Sequence, residues 1–280
     1  MADAWHQVRV LTALAPQFQG DARQRLLQQA LDTAHQITDA QDQADALTAL
    51  APQLHGTLLQ QALDAAHQMA NARDQADVLI ALAPQLHGTL LQQALKAARQ
   101  IGDEAERAKV LVALAPHLDH VLLQQTLEAV RQIGHHGSRA RVLVALAPHL
   151  DHALLQRVLE DASQIRDEVE RARVLAALAP HLNQVLFQQA LNAATHINNG
   201  QWRAQVLAAV LPRAHPKTQV LHDARHALAH HLWSLKNEHR KEVLDFLGNT
   251  KLFTAAILSS EILSNIAEHV IDVCQTWEWL

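Results

Sequence analysis

A lattice of prolines limits what this chain can fold into more than any other feature. Pro52, Pro84, Pro116, Pro148, Pro180 and Pro212 follow one another at intervals of 32 residues, and Pro16 stands 36 before Pro52 because "QGDARQR" carries four extra residues. The text between the prolines also repeats, residues 49–63 and 81–95 both reading "ALAPQLHGTLLQQAL". A fixed period of roughly 20 to 50 residues marks an array of small units, each too short to bury its own apolar face and each completed by its neighbours.

One unit, residues 103–134, shows how the period is filled. Asp103 and Glu106 have the spacing of a helix-starting capping box, and Asp39/Asp42, Asn71/Asp74 and Asp167/Glu170 repeat it, so a helix is expected to begin at each. That helix runs through "AKVLVALA" and is expected to stop before Pro116, whose ring disfavours helical geometry in the preceding residue. A second helix covers "VLLQQTLEAVRQI", with Leu122, Leu123, Leu127 and Val130 on one side and Gln124, Gln125, Glu128 and Arg131 toward the other. Gly102, Gly134 and the Asn198–Gly200 cluster suit left-handed C-terminal caps. Two helices and two tight loops make each unit a helical hairpin, and nothing reads as a strand. The leucine pairs Leu26/Leu27, Leu58/Leu59, Leu90/Leu91, Leu122/Leu123 and Leu154/Leu155, continued as Leu186/Phe187, form the expected stacking seam. Asp3 lies as far before Pro16 as Asp39 before Pro52, which is taken to open the chain at the second helix of a unit. Beyond Pro216 the lattice ends, and Trp233, Phe246, Phe253, Trp277 and Trp279 collect most of the bulky aromatics, as a terminal cap needs. The expected fold is therefore all-α: a right-handed, TPR-like α-solenoid of about six 32-residue hairpins over residues 3–212, closed by a helical capping segment over residues 213–280.

The phrase "RAxVLxALAPxL…LLxxAL", at Arg107–Leu127 and again at Arg171–Leu191, resembles the TPR-like or HEAT-like arrays that end many bacterial signal-transducing NTPases of the NACHT or STAND type and related caspase-associated proteins. The resemblance covers roughly residues 3–212. It implies a sensor or docking arm whose catalytic domain lies elsewhere, and no GxxxxGK[ST] loop occurs in this chain.

Charge and composition narrow the function further. A formal net charge of −5 gives no global pull toward nucleic acid or an anionic membrane. The lone Cys274 excludes an internal disulfide framework and any cysteine-based zinc motif and favours a reducing compartment. The first residues, "MADAWHQVRVL", lack the blocks of a signal peptide, and no apolar run approaches the roughly 20 residues of a membrane span, so a cytoplasmic protein with no membrane partner is expected. No paired carboxylates, nucleophile with base or phosphate loop stands at usable spacing, which argues against an enzyme and against a cofactor.

Three sets of residues remain. The 20 histidines include His222, His226 and His230 at i, i+4, i+8 and the loop pairs His117/His120 and His149/His152, but each set is incomplete as a metal site and none is expected. A basic ladder, Arg107 and Lys109, Arg139 and Arg141, Arg171 and Arg173, then Arg203, could meet phosphates or an acidic peptide, although Asp103/Arg107 and Asp167/Arg171 offer local i, i+4 pairing. The third is a pair of outward columns read as a first-helix groove. One is Asp32, Asp64, Lys96, Glu128, Glu160 and Asn192, the other His35, His67, Arg99, Arg131, Ser163 and Thr195. Changing charge on a constant leucine frame is how such a groove would acquire a specific protein or peptide partner, with Asp64, His67, Lys96, Arg99, Glu128, Arg131 and Glu160 as its contacts. The leading expectation is thus a protein-interaction module, with a nucleic-acid-binding repeat protein as the alternative and self-association through an uncapped N-terminal repeat as a further partner mode.

Overall fold

The structure, a computed structural model, describes residues 2–210. Among the described residues there are thirteen α-helices in tandem and no strand. They belong to two compact units, the chain dividing between His149 and Leu150. The first holds α1 (Ala2–Leu14), α2 (Gly20–His35), α3 (Ala40–Leu50), α4 (Gly56–Gln68), α5 (Ala72–Leu82), α6 (Gly88–Gln100), α7 (Glu104–Leu114), α8 (His120–Arg131) and α9 (His136–Leu146). The second holds α10 (His152–Ser163), α11 (Glu168–Leu178), α12 (Gln184–Thr195) and α13 (Gly200–Val210). The capping segment over residues 213–280, with the His222/His226/His230 row in it, lies outside the described residues.

Odd-numbered helices start where the capping pattern predicts. The side chains of Asp39, Asn71, Asp103 and Asp167 each accept from backbone amides in the first turn, in Asp103's case from Ala105 at 2.8 Å and Glu106 at 3.0 Å. Where no acid stands, other residues serve: His135 Nδ1 accepts from the Ser138 amide at 3.0 Å and Asn199 from that of Trp202 at 3.2 Å. The α-helices do end before their prolines, α3 at Leu50 and α7 at Leu114, but the residue next to the proline does not turn to extended geometry. Ala51 and Ala115, which precede Pro52 and Pro116, stay helical at φ −44°, ψ −45° and φ −48°, ψ −45°. From the alanine onward the helix tightens into a 3-10 turn, because proline has no N–H for the α-helical ladder. Turns close on bonds such as Leu54 N–H to Ala51 C=O, 3.3 Å, and the closing leucines Leu54 and Leu86 are fully buried, which offsets the disfavoured pre-proline geometry.

Even-numbered helices start in two ways. In α2, α4 and α6 the first residue is a glycine with positive φ, 56° at Gly20 and 54° at Gly56 and Gly88, and no side chain caps the helix. In α8, α10 and α12 the glycine is replaced by His120, His152 or Gln184, and Asp119, Asp151 or Asn183 before it caps the amide of Leu122, Leu154 or Leu186. Left-handed C-terminal caps at Gly102 and Gly134 are absent: Gly20, Gly56 and Gly88 alone have positive φ among the described residues. Even helices end instead by burying the next apolar residue, such as Ile101 with φ −62° and ψ 118° and only 1% of its surface exposed.

Within the first unit α1, α3, α5, α7 and α9 pack each on the next, α2, α4, α6 and α8 do likewise, and each even helix packs on the odd helix that follows it. In the second unit α11 packs on α13, α10 on α12, α10 on α11 and α12 on α13. Ala30, Ala34, Ala62, Ala66, Ala94 and Ala98 are fully buried on the even helices, small residues that let helices approach closely. The leucine seam is buried except Leu26 and Leu90, which are half-buried. The opening helix α1 precedes Pro16 and is therefore an odd helix, a correction to the reading of Asp3. Val10, Leu14 and Phe18 are exposed on and just after it, and Arg9 lies 4.6 Å from the centre of the Trp5 ring.

Candidate functional site

The varied columns sit on the even helices, not on the helices that open each unit. Asp64 and His67 lie on α4, Lys96 and Arg99 on α6, Glu128 and Arg131 on α8, all exposed. Glu160, on α10 of the second unit, is exposed as well. The periodicity explains the arrangement: leucines and alanines that face the neighbouring helices leave the residues one or two positions on at the surface. Hydrogen bonds tie this face together. Gln60 donates to Asp64 at 2.9 Å and to Gln93 of α6 at 2.8 Å, and Gln28 of α2 donates to Asp32 at 2.9 Å and to Gln61 of α4 at 3.1 Å. Arg99 donates to the Gln125 carbonyl on α8, and Arg131 stands 3.8 Å from Glu128. The result is a polar surface crossing α2, α4, α6 and α8, alike in charge on α2 and α4 and different on α6 and α8, with the side chains partly held in place.

The basic ladder separates into two columns with different surroundings. In its first column the guanidinium turns back to the end of the preceding even helix. Arg107 donates to the Ile101 carbonyl at 2.8 Å, Arg171 to that of Ile165 at 3.0 Å and Arg203 to that of Ile197 at 3.2 Å. Arg171 also donates to the His196 carbonyl at 3.1 Å, and Arg139 meets His136 Nδ1 at 3.0 Å. The Arg107 and Arg171 side chains are only 14% and 13% exposed. Gln43, at the same position of an earlier unit, donates to the Ala34 carbonyl at 3.3 Å. This column therefore supplies donors for carbonyls that a helix end leaves without intrahelical partners. In the second column Lys109 and Arg173 are paired with Glu106 and Glu170 at 2.8 and 2.9 Å, while Arg141 is exposed. The expected Asp103/Arg107 and Asp167/Arg171 pairing gives way to Glu104–Arg107 and Glu168–Arg171, both 3.7 Å, because the aspartates are turned to the helix amides.

Glu104 and Glu168 were not singled out by the sequence pattern, yet they tie successive units. Glu104 accepts from the amides of Gly134 and His135 at 3.0 and 2.8 Å, and Glu168 from those of Asn198 and Asn199 at 3.1 and 3.0 Å and from the Asn198 side chain at 2.9 Å. The backbone amides of Gly134 and His135 hold the Glu104 carboxyl below the ordinary glutamate range, and those of Asn199 and Asn198 do the same for Glu168. The available signal was the "DExxR" spacing, Asp103-Glu104-Arg107 and Asp167-Glu168-Arg171, in alternate units. Asp74 on α5 is the opposite case. It is 2% exposed, its Oδ1 has no hydrogen-bond partner, and burial, then Asp77, push its carboxyl up.

Of the histidine pairs, His120 contacts Gln124 at 3.0 Å and His152 contacts Asn183 at 3.1 Å. Among the described residues no group of three or more His, Cys, Asp or Glu is placed to hold a metal ion, and no helix is long and apolar enough to cross a membrane. No protein-family model matches the chain, and no curated protein matches it.

Proposed function

We propose that the chain is a protein-interaction module, a right-handed TPR-like α-solenoid of about six hairpins that binds a protein or peptide across its even helices. The observation that carries this reading is the contrast between two sets of residues on the same helices. Leu59, Leu63, Leu91, Leu95, Leu123 and Leu127 are buried and nearly invariant between units, whereas Asp64, His67, Lys96, Arg99, Glu128 and Arg131 are exposed and change from unit to unit. Such a surface offers a partner a different set of charges at each helix on one frame. By its resemblance to the arrays of NACHT and STAND proteins, the module serves as a sensor or scaffold arm of a bacterial signalling or defence system in the cytoplasm, with chemistry supplied by another domain or protein and no cofactor of its own.

The test is affinity capture with the native chain and with a Lys96→Glu, Arg99→Glu, Glu128→Lys, Arg131→Glu variant. A partner retained by the first and lost by the second, with unchanged circular dichroism, supports the reading, since exposed changes cost under about 0.5 kcal/mol each. Titration with labelled duplex DNA tests the opposing class. Micromolar affinity falling with a slope near −0.9 per neutralised phosphate in log K against log salt, and lost on changing Lys109, Arg141 and Arg173, would replace the protein-binding reading.

A further inference from the structure

Four acids are concentrated on two neighbouring odd helices. Asp42 and Asp45 on α3 stand at the positions of Asp74 and Asp77 on α5, ten and seven residues before the next proline, and the two helices pack on each other. The sister helices show what this pair of positions does. In α7 the first is Glu106 and the second Lys109, 2.8 Å apart, and in α11 they are Glu170 and Arg173, 2.9 Å apart. An acid at the first position takes a cation from the second, one helical turn on. In α3 and α5 the second position is itself an acid, so that cation is missing.

The gap is deepest at Asp74. The residue is 2% exposed, and its Oδ1 is the one carboxylate oxygen among the described residues that is buried without a hydrogen-bond partner, a condition that calls for a physical reason. Burial, then Asp77, push its carboxyl up; Arg73 opposes the rise, and Asp45 and Asp39 add to it. Arg73 does not fill the gap, because its side chain is 73% exposed and its Nε stands 3.9 Å from Asp77, too far for a hydrogen bond. Asp42 and Asp45 are exposed, and their side chains make no ion pair or hydrogen bond among the described residues. The cations on either side are engaged: Arg9 on α1 lies over the Trp5 ring, and Lys109 is held by Glu106. They limit the acidic surface to the width of two helices.

We propose that Asp42, Asp45, Asp74 and Asp77 form a docking site for a short basic segment of a partner protein, which brings to α3 and to α5 the cation that α7 and α11 each carry themselves. Packed helices lie about 8–10 Å apart, so the segment needs two basic side chains at about that separation. A polyproline II stretch meets the requirement, because three residues per turn and about 3.1 Å per residue place side chains i and i+3 on one side about 9 Å apart. A lysine or arginine suits the site better than a metal ion, since no group of three or more His, Cys, Asp or Glu among the described residues is placed to hold one. Its length also matters. An extended basic side chain reaches a carboxyl set below the surface, as Lys109 reaches Glu106, whose side chain is 15% exposed. The site lies on the odd helices, apart from the even-helix surface proposed above, and either can fail without the other.

Titration of the isotope-labelled full chain with the blocked peptide Arg-Pro-Pro-Arg, followed by NMR at about 20 mM salt where exposed charges are least screened, tests the site. Saturable shifts of amides in α3 and α5 are expected, and none with Glu-Pro-Pro-Glu. Asp45→Asn and Asp77→Asn should each weaken the peptide about threefold or more, the scale of an exposed ion pair. Asp74→Asn should weaken it as well while raising the melting temperature, because it removes a buried charge that only the bound cation satisfies. A purely structural residue would not separate those two effects. Asp77→Lys should abolish binding and raise the melting temperature too, since it supplies the cation from within, as Lys109 does. Asp21→Asn removes an exposed acid at the start of α2 and changes the net charge as much as the other asparagine variants, yet should leave the affinity unchanged. The proposal is overturned by an absence of saturable shifts, by equal weakening with Asp21→Asn, or by native affinity in Asp74→Asn or Asp77→Lys.

Discussion

Replacing Arg171 by alanine separates a guanidinium that serves the fold from one that waits for an anion. The side chain is 13% exposed, donates to the carbonyls of Ile165 at 3.0 Å and His196 at 3.1 Å, and stands 3.7 Å from Glu168. A hydrogen bond from a charged donor contributes about 1.5–3 kcal/mol net when buried. Both acceptors are at the end of a helix or in the following loop, and the His196 side chain is exposed, so water recovers part of the loss. Removing the side chain also releases about 1–2 kcal/mol of conformational entropy that the folded state had restricted. A net cost of about 2 kcal/mol follows. Arg171→Gln should cost about half as much, since Gln43 already serves the Ala34 carbonyl from this position, though at 3.3 Å and with a neutral donor. Urea unfolding followed by circular dichroism measures the change. Arrays of repeats can unfold in stages, so hydrogen exchange of the Asn198 and Asn199 amides, bound to the neighbouring Glu168, should be followed in parallel and should speed up in the alanine variant. If Arg171→Ala lies within about 0.5 kcal/mol of the native chain and leaves those amides protected, the guanidinium is a solvated charge and the structural role assigned to this column is refuted.

Gly56→His alone should cost about 1 kcal/mol, because φ is +54° and the strain is in the backbone rather than in any contact of the new Cβ; adding His55→Asp, which recreates the sister start Asp119–His120, should recover most of it in the urea midpoint. The carboxyls of Glu104 and Glu168 are depressed in the fold, so the unfolded chain holds their protons more tightly; their contribution is complete above the ordinary 4.5 and is lost as pH falls through the depressed values. Glu168→Gln should therefore lower stability at neutral pH and flatten the acid limb of a stability–pH curve. Asp74 is raised in the fold, so its burden appears as pH climbs from 3.8 through the raised value; Asp74→Asn should stabilise the chain at neutral pH, by a gain that disappears in acid, as read from melting temperature. Leu127→Ala, at a site 1% exposed, should cost about 2–5 kcal/mol by the same urea assay.

Much of the architecture was legible because helix starts and apolar periodicity are local properties. Asp39, Asn71, Asp103 and Asp167 reach amides two or three residues on, a distance that spacing alone encodes. The prolines marked correctly where each odd α-helix ends and a turn leads to the next helix, but the preference of the residue before proline for extended geometry was overridden at Ala51 and Ala115. That preference is weak compared with the burial of Leu54 or Leu118 in the turn that follows. Gly102 and Gly134 suggested left-handed caps by their place after a helix, whereas the conformation is needed at Gly20, Gly56 and Gly88, which begin helices without an aspartate or asparagine before them. The missing cap was itself a sequence signal for those glycines.

The sequence by itself determined the helical class, the period and the buried seam, because each follows from residues within one or two turns of one another. Which charges are engaged was decided by the tertiary structure. Arg107 and Arg171 belong to a basic ladder when read along the chain, but the carbonyls they serve lie at the end of the helix before them, and the angle between those helices is set by packing. Glu104 and Glu168 likewise find their amides 30 and 31 residues away, in a loop that only the stacking of successive units brings within hydrogen-bond reach. A local pattern can show that a charged residue is present; whether it meets a backbone group, another side chain or solvent depends on distances that exist only once the helices have packed.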